Sequence, residues 1–138
     1  MYRTALTVLL LSALPRAVNA ETFDGWAFGK SYAVAVTGEA LKKTPAWDES
    51  RVENPPVSAR KALKLATDFR KTLIPANADW DWHLGDLRLR QLEGRWYWLA
   101  YFYAFPRHAF LEGVAPNFYV AILMDGTVVK PHIQDKLR

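Results

Sequence analysis

Residues 84–105 read LGDLRLRQLEGRWYWLAYFYAF. Two runs rich in apolar and aromatic residues, 84–92 and 95–105, meet at Glu93-Gly94, a pair suited to a tight turn between antiparallel strands. In the second run, alternation places Trp96, Trp98, Ala100, Phe102 and Ala104 on one face. Tyr97, Leu99, Tyr101, Tyr103 and Phe105 fall on the other. Small Ala100 and Ala104 suit close approach of a helix, so the Trp96 face is expected to be the core. The face of Tyr97, Tyr101 and Tyr103 is then partly exposed, and tyrosine, with an apolar body and a polar tip, favours interfaces.

Downstream, residues 117–124 and 127–133 read as a second strand pair around Asp125-Gly126, with positive φ expected at both turn positions. Residues 106–116 form a longer loop that carries His108, Phe110 and Gly113. Upstream, Ala59, Ala62, Leu63, Ala66, Phe69 and Leu73 recur at steps of three and four behind Ser58, a helix N-cap residue. The spacing predicts an amphipathic helix over 58–73, ended by Pro75, which cannot donate the next helical bond. Residues 31–37 (SYAVAVT) predict a first strand. Residues 38–56, with Pro45, Pro55 and Pro56, read as an irregular connection pinned by Trp47, and 76–81 as a loop. The expected class is α+β: one helix on an antiparallel sheet of four to five strands, in the order β-α-β-β-β-β.

The chain of 138 residues opens on a stretch with the grammar of a secretory signal. Arg3 supplies a positive start, residues 4–14 (TALTVLLLSAL) an apolar stretch, and Val18-Asn19-Ala20 the small residues a signal peptidase reads. A bilayer span needs about twenty apolar residues, and Pro15 and Arg16 interrupt this run early. The expectation is a cleaved leader over 1–20, a single domain over 21–138, and export to a periplasmic or secreted destination. Arg3 and Arg16 leave with the leader, which takes the formal charge from +4 to +2. Nothing in that balance resembles the basic face that nucleic-acid binding needs. Cysteine is absent, which removes disulfides, thiolate metal sites, lipid attachment through cysteine and cysteine nucleophiles. With 51% hydrophobic residues, including six Trp, six Tyr and seven Phe, the chain is expected to fold around an aromatic core.

No arrangement compels catalysis. Ser58-Ala-Arg-Lys61 matches the Ser-x-x-Lys pattern of serine acyl-enzymes, yet its partner motifs are missing and a helix cap explains the serine. Asp79, Asp81 and His83 in DWDWH would share one side of an extended segment, as an oxygen and nitrogen metal site requires. The same alternation describes an edge segment with Trp80 and Trp82 turned inward. Glu39, Asp48, Glu49 and Glu53 are carboxylates of a solvated loop with no spacing that pairs them. The reading therefore assigns no catalytic residue, metal or cofactor.

The helix 58–73, then Gly94-Arg95-Trp96-Tyr97-Trp98, then Tyr119-Val120-Ala121-Ile122-Leu123-Met124-Asp125-Gly126-Thr127-Val128-Val129, resembles the small exported PepSY-like domains. That resemblance implies a helix packed on an antiparallel sheet and a non-catalytic module that binds or restrains peptidases; it supplies no catalytic residues. A second likeness, through Thr37-Gly38-Glu39-Ala40-Leu41 and Asn54-Pro55-Pro56-Val57-Ser58, is to uncharacterised secreted bacterial proteins and implies no activity. The expected function is an exported binding module for a protein or peptide partner. Contacts are expected at Tyr97, Tyr101 and Tyr103 and at His108 and Phe110, because recognition residues concentrate on loops carried by a rigid scaffold. A free strand edge, residues 32–36 or 128–133, offers backbone pairing as a further route. The rival expectation is a carbohydrate-binding or cell-envelope structural domain in which Trp80, Trp82 or Trp96 stacks on sugar rings.

Overall fold

Two turns built on glycine join the first four strands in pairs. Phe28-Gly29 and Glu93-Gly94 both carry positive φ at each position, 50° and 79° in one and 51° and 75° in the other. This backbone matches the right-handed twist of antiparallel strands. The computed structural model describes residues 19–135. The leader read over residues 1–20 therefore lies, except for Asn19 and Ala20, outside the described residues.

The strands are β1 (Ala20–Ala27), β2 (Lys30–Thr37), β3 (Trp80–Leu92), β4 (Arg95–Pro106), β5 (Asn117–Leu123) and β6 (His132–Asp135), with helices α1 (Gly38–Lys42) and α2 (Ala59–Leu73) between β2 and β3. The sheet is antiparallel, in the order β3-β4-β5-β1-β2-β6. The class is α+β, as the sequence suggests, with six strands rather than four or five and a second, short helix. Among the described residues, no helix is long and apolar enough to cross a membrane.

Helix α2 forms where the three- and four-residue spacing places it. The Ser58 hydroxyl accepts from the Lys61 amide at 3.2 Å and caps its first turn. Ala62 and Ala66 are fully buried against Trp98, Ala100 and Phe102 of β4 and Phe118, Val120 and Ile122 of β5. The small helix residues let α2 approach the sheet closely, and the Trp98 indole N–H fixes the approach by donating to the Val57 carbonyl at 2.7 Å. Trp47 packs its edge on Trp96, with centroids 5.5 Å apart, and donates to the Val52 carbonyl at 2.8 Å. It pins the connection before α2 as expected.

The other face of the sheet is covered over only part of its length. The β1–β2 hairpin bonds to β5 through the Trp26–Asn117 pair, and Val34 and Val36 join Leu41 of α1 in one cluster with Tyr97, Leu99, Ala121 and Leu123. Helix α1 packs against β4, and β2 packs against β5, from which β1 separates it in the sheet order. Thr37 caps α1 by accepting from the Ala40 amide, and its acidic first turn carries Glu39, a favourable charge there.

The second predicted strand pair is shorter than its sequence suggests. At the Asp125-Gly126 turn only Gly126 has positive φ, at 88°. The Leu123 amide donates to the Thr127 carbonyl and the Gly126 amide to that of Leu123, a three-residue loop with a glycine bulge. Beyond it only a single bridge, Ile122 to Val128, continues the pairing. Pro131 then interrupts the run, and residues 132–135 pair with β2 instead. Residues 32 and 33 are thus flanked on both sides, by β1 and β6, whereas 34–36 pair with β1 alone. The long open edge is β3.

Candidate binding face

Gly85 sets up this face. The β3–β4 register slips between Leu84 and Asp86, a β-bulge that inserts one residue into β3. On either side of it Trp82, Leu87 and Leu89 all pack with the α2 core. Their neighbours His83, Asp86, Arg88 and Arg90 sit opposite Tyr103, Tyr101, Leu99 and Tyr97 on the other face. A Cβ on Gly85 would stand 2.6 Å from the Tyr101 ring, so the missing side chain is what lets Tyr101 lie across the bulge.

From there a run of rings crosses the sheet. Tyr119 and Tyr101 are 4.9 Å apart by centroids, Tyr101 and Tyr103 6.2 Å, and Tyr103 and Phe105 5.3 Å. His83 stacks on Tyr103 at 5.6 Å, and Phe23 of β1 meets Tyr119 at 5.5 Å. Tyr101, Tyr103 and Tyr119 are half-buried by one another, while Phe105 is 45% exposed. Phe23, Tyr101 and Tyr119, with Asp86, Arg88 and Arg90, line a depression of about 240 Å³. Its rim charges are paired internally: Arg88 with Asp86, and Arg90 with Glu21 at 3.2 Å. Burial pushes the Tyr101 phenol up, and Tyr119, Asp86 and Tyr103 add in the same direction. Tyr101 therefore stays a neutral hydrogen-bond donor at ordinary pH.

Tyr97 does not belong to this face, contrary to its expected partial exposure. It is fully buried, because the β1–β2 hairpin and α1 cover its end of β4. Alternation identifies the side of the sheet but not how far along that side a cover reaches. Its phenol donates to the Glu21 carboxylate, which Arg90 also holds. Burial alone would raise the Glu21 pKa, but the bonds from Tyr97 and Arg90 outweigh it and hold the carboxyl below 4.5. A depressed carboxylate stabilises the fold fully above its unfolded value, and that contribution is lost as pH falls through the folded one. Glu21→Gln is accordingly expected to lower Tm at pH 7 and to narrow the gap to wild type below pH 4.5. Thermal melts across that range check the sign.

The two loop residues stand apart from the rings. His108 lines a separate depression with Asp79, Trp80 and Pro106. Phe110 is 97% exposed and makes none of the ring contacts that link the others. In the DWDWH segment, Asp81 is held by Arg107 at 2.6 Å and His83 by Tyr103. Among the described residues, no three of His, Cys, Asp and Glu are grouped to hold a metal ion. Ser58 is occupied by its cap bond. Glu39 faces Lys43 at 3.8 Å and Asp48 faces Arg51 at 3.5 Å, so these loop carboxylates are solvated ion pairs rather than an acid–base couple.

Sequence reasoning placed Phe105 on this side of β4 but missed His83, Tyr119 and Phe23 as members of the face. A lone glycine inside the strand pattern at position 85 is the signal for the bulge that brings His83 and Asp86 to one side. Nothing local marks Phe23. Compared with known proteins, the chain matches no family model, no curated protein and no solved structure.

Proposed function

We propose that this chain is a non-catalytic, exported binding module whose uncovered aromatic face takes an extended segment of a protein or peptide partner. The observation that carries the reading is the run Tyr119–Tyr101–Tyr103–Phe105, half-exposed on a sheet face that is otherwise buried under β1, β2 and α1. Rings ordered by their neighbours lose little freedom on binding, and a partly desolvated phenol offers a directional donor beside apolar surface. The depression at Tyr101 and Tyr119 has the size and mixed lining to take one side chain. β3, which no described strand pairs on its outer side, lies next to the face and can accept a partner strand by backbone bonding. His108 and Phe110 extend the same reading as loop contacts.

Export rests on the leader grammar of residues 1–20. Cleavage after Ala20 would release the Asn19 contacts, its carbonyl with the Gly38 amide and its side chain with Glu93, and leave the rest of β1 in place. The PepSY-like resemblance points to a peptidase as the partner to test first.

Affinity capture from envelope and culture fractions of the native host, with the exported protein as bait, tests the proposal. Reproducible enrichment of one protein that a Tyr101→Ser/Tyr103→Ser variant loses supports it. Equal capture by both baits, or no enriched protein, overturns it.

One observation favours the sugar-stacking alternative. Trp80 is half-exposed between two depressions that carry Asp79 and His108 on one side and Asn77, Asp81 and Arg107 on the other. Trp82 and Trp96 pack against the α2 core. A shift in Trp emission on adding envelope polysaccharides, with no protein captured, would move the assignment to that reading.

A further inference from the structure

Where the last turn of α2 meets the start of β3, Arg70, Asn77, Trp80, Asp81, Trp82 and Arg107 line a depression of about 190 Å³. Its two side-chain acceptors each already hold a donor. The Asp81 carboxylate accepts from Arg107 at 2.6 Å, and the Asn77 side-chain oxygen accepts from the Asp79 amide at 2.8 Å. Its donors are in surplus. The Arg70 guanidinium lies over the rings of Trp82 and Phe102, 5.8 and 6.0 Å from their centroids, with no carboxylate partner among the described residues. The Trp82 indole N–H is buried without an acceptor, an arrangement that is costly when nothing answers it. Trp80, braced edge-on by Phe28 at 5.3 Å, sets a flat apolar surface beside these donors.

We infer that this cleft is a binding site for a small ligand that carries an oxyanion, a carboxylate or phosphate group, on a ring or short chain, with Arg70 as the charge partner and Trp80 as the platform. Arginine suits the role because its planar fork stays charged when partly buried and pairs with both oxygens of such a group. Arg107 and Asp81 neutralise one another, which leaves Arg70 as the net charge of the cleft. The volume falls below the 300–1,000 Å³ or so of pockets that enclose drug-sized ligands, so the site takes one anionic group with part of a ring. It is formed by α2, the loop that follows it, the start of β3 and Arg107 just past β4, apart from the Tyr101 and Tyr103 rings, and does not depend on what binds there.

The test is a titration of the exported protein with glucuronate, inorganic phosphate and, as a neutral control, glucose, at constant ionic strength, read by Trp emission and by the rise in Tm that binding to the folded state produces. The expected result is saturable binding of glucuronate or phosphate, with the stronger of the two arms naming the group, and none of glucose. Arg70→Gln should weaken that binding roughly tenfold to a hundredfold or more, the effect of losing a charge-assisted contact to the group. If the Gln variant does not melt cooperatively, Arg70→Lys, which keeps the stem and the charge but not the fork, should still weaken binding several-fold. No saturable response to either anion, equal binding by wild type and the Arg70 variant, or glucose binding as tight as glucuronate would overturn the assignment.

Discussion

Phe118→Ala is expected to lower the stability of the fold by about 3–5 kcal/mol, the usual range for removing a fully buried aromatic ring. Phe118 is 0% exposed, and its ring meets three others: Tyr32 at 5.6 Å, Trp82 at 5.3 Å and Phe102 at 5.9 Å. Those partners stand on β2, β3 and β4, so one ring on β5 ties the N-terminal hairpin to the meander under α2. Truncation leaves a cavity bordered by rings that cannot collapse without moving strands, which puts the cost at the upper part of the range. Domains of this size hold only about 5–15 kcal/mol in total, and the loss should be plain in urea unfolding. A change below about 1 kcal/mol would show that the hairpin is not anchored there.

Gly25→Ala should be nearly as damaging, by a different route. A Cβ at position 25 would stand 2.4 Å from the Asn117 carbonyl oxygen and 2.4 Å from the Phe118 Cα. Both are backbone atoms, so no side-chain rotation relieves the contact, and β1 must lift away from β5. The site adjoins the Trp26–Asn117 pair, where the hairpin bonds to the meander, and lifting it loosens the cover over Tyr97, Leu99 and Ala121. The expected cost is about 3 kcal/mol or more, at or above the top of the usual range for overpacking. Hydrogen exchange should show protection falling first in β1 and β2 rather than in β3 and β4. Unchanged exchange in β1 would contradict the close crossing.

Much of the meander and its helix is legible in the sequence because the signals there are local. Ser58, the three- and four-residue spacing behind it and the alternation around Glu93-Gly94 each specify an element without help from distant residues. The split of β4 into a Trp98–Ala100–Phe102 core face and a Tyr101–Tyr103 face is legible for the same reason. The N-terminal hairpin is not. Its turn places Phe28 at positive φ, a conformation that phenylalanine does not advertise, and Phe23, Trp26 and Phe28 do not alternate cleanly around Gly25. Helix α1 has five residues, too few for a period to show. Residues 132 and 133 read as the end of the strand after Asp125-Gly126, but Pro131 breaks the run and they pair with β2 as the start of β6. Tyr97 illustrates the limit most directly: its side of the sheet follows from alternation, whereas its burial depends on a hairpin more than sixty residues away.

The account turns on the aromatic run being a contact surface that the fold does not need for its own stability. The thermal melt of a Tyr103→Ser/Phe105→Ser variant, measured beside Phe118→Ala, tests this most directly. Both targeted rings lie at the open end of the face, and their mutual packing is worth about 0.5–1.5 kcal/mol beyond the area it covers. The expected result is a cooperative melt within about 5 °C of wild type, well short of the fall produced by Phe118→Ala. A drop as large as that of Phe118→Ala would make the rings core and contradict the binding face.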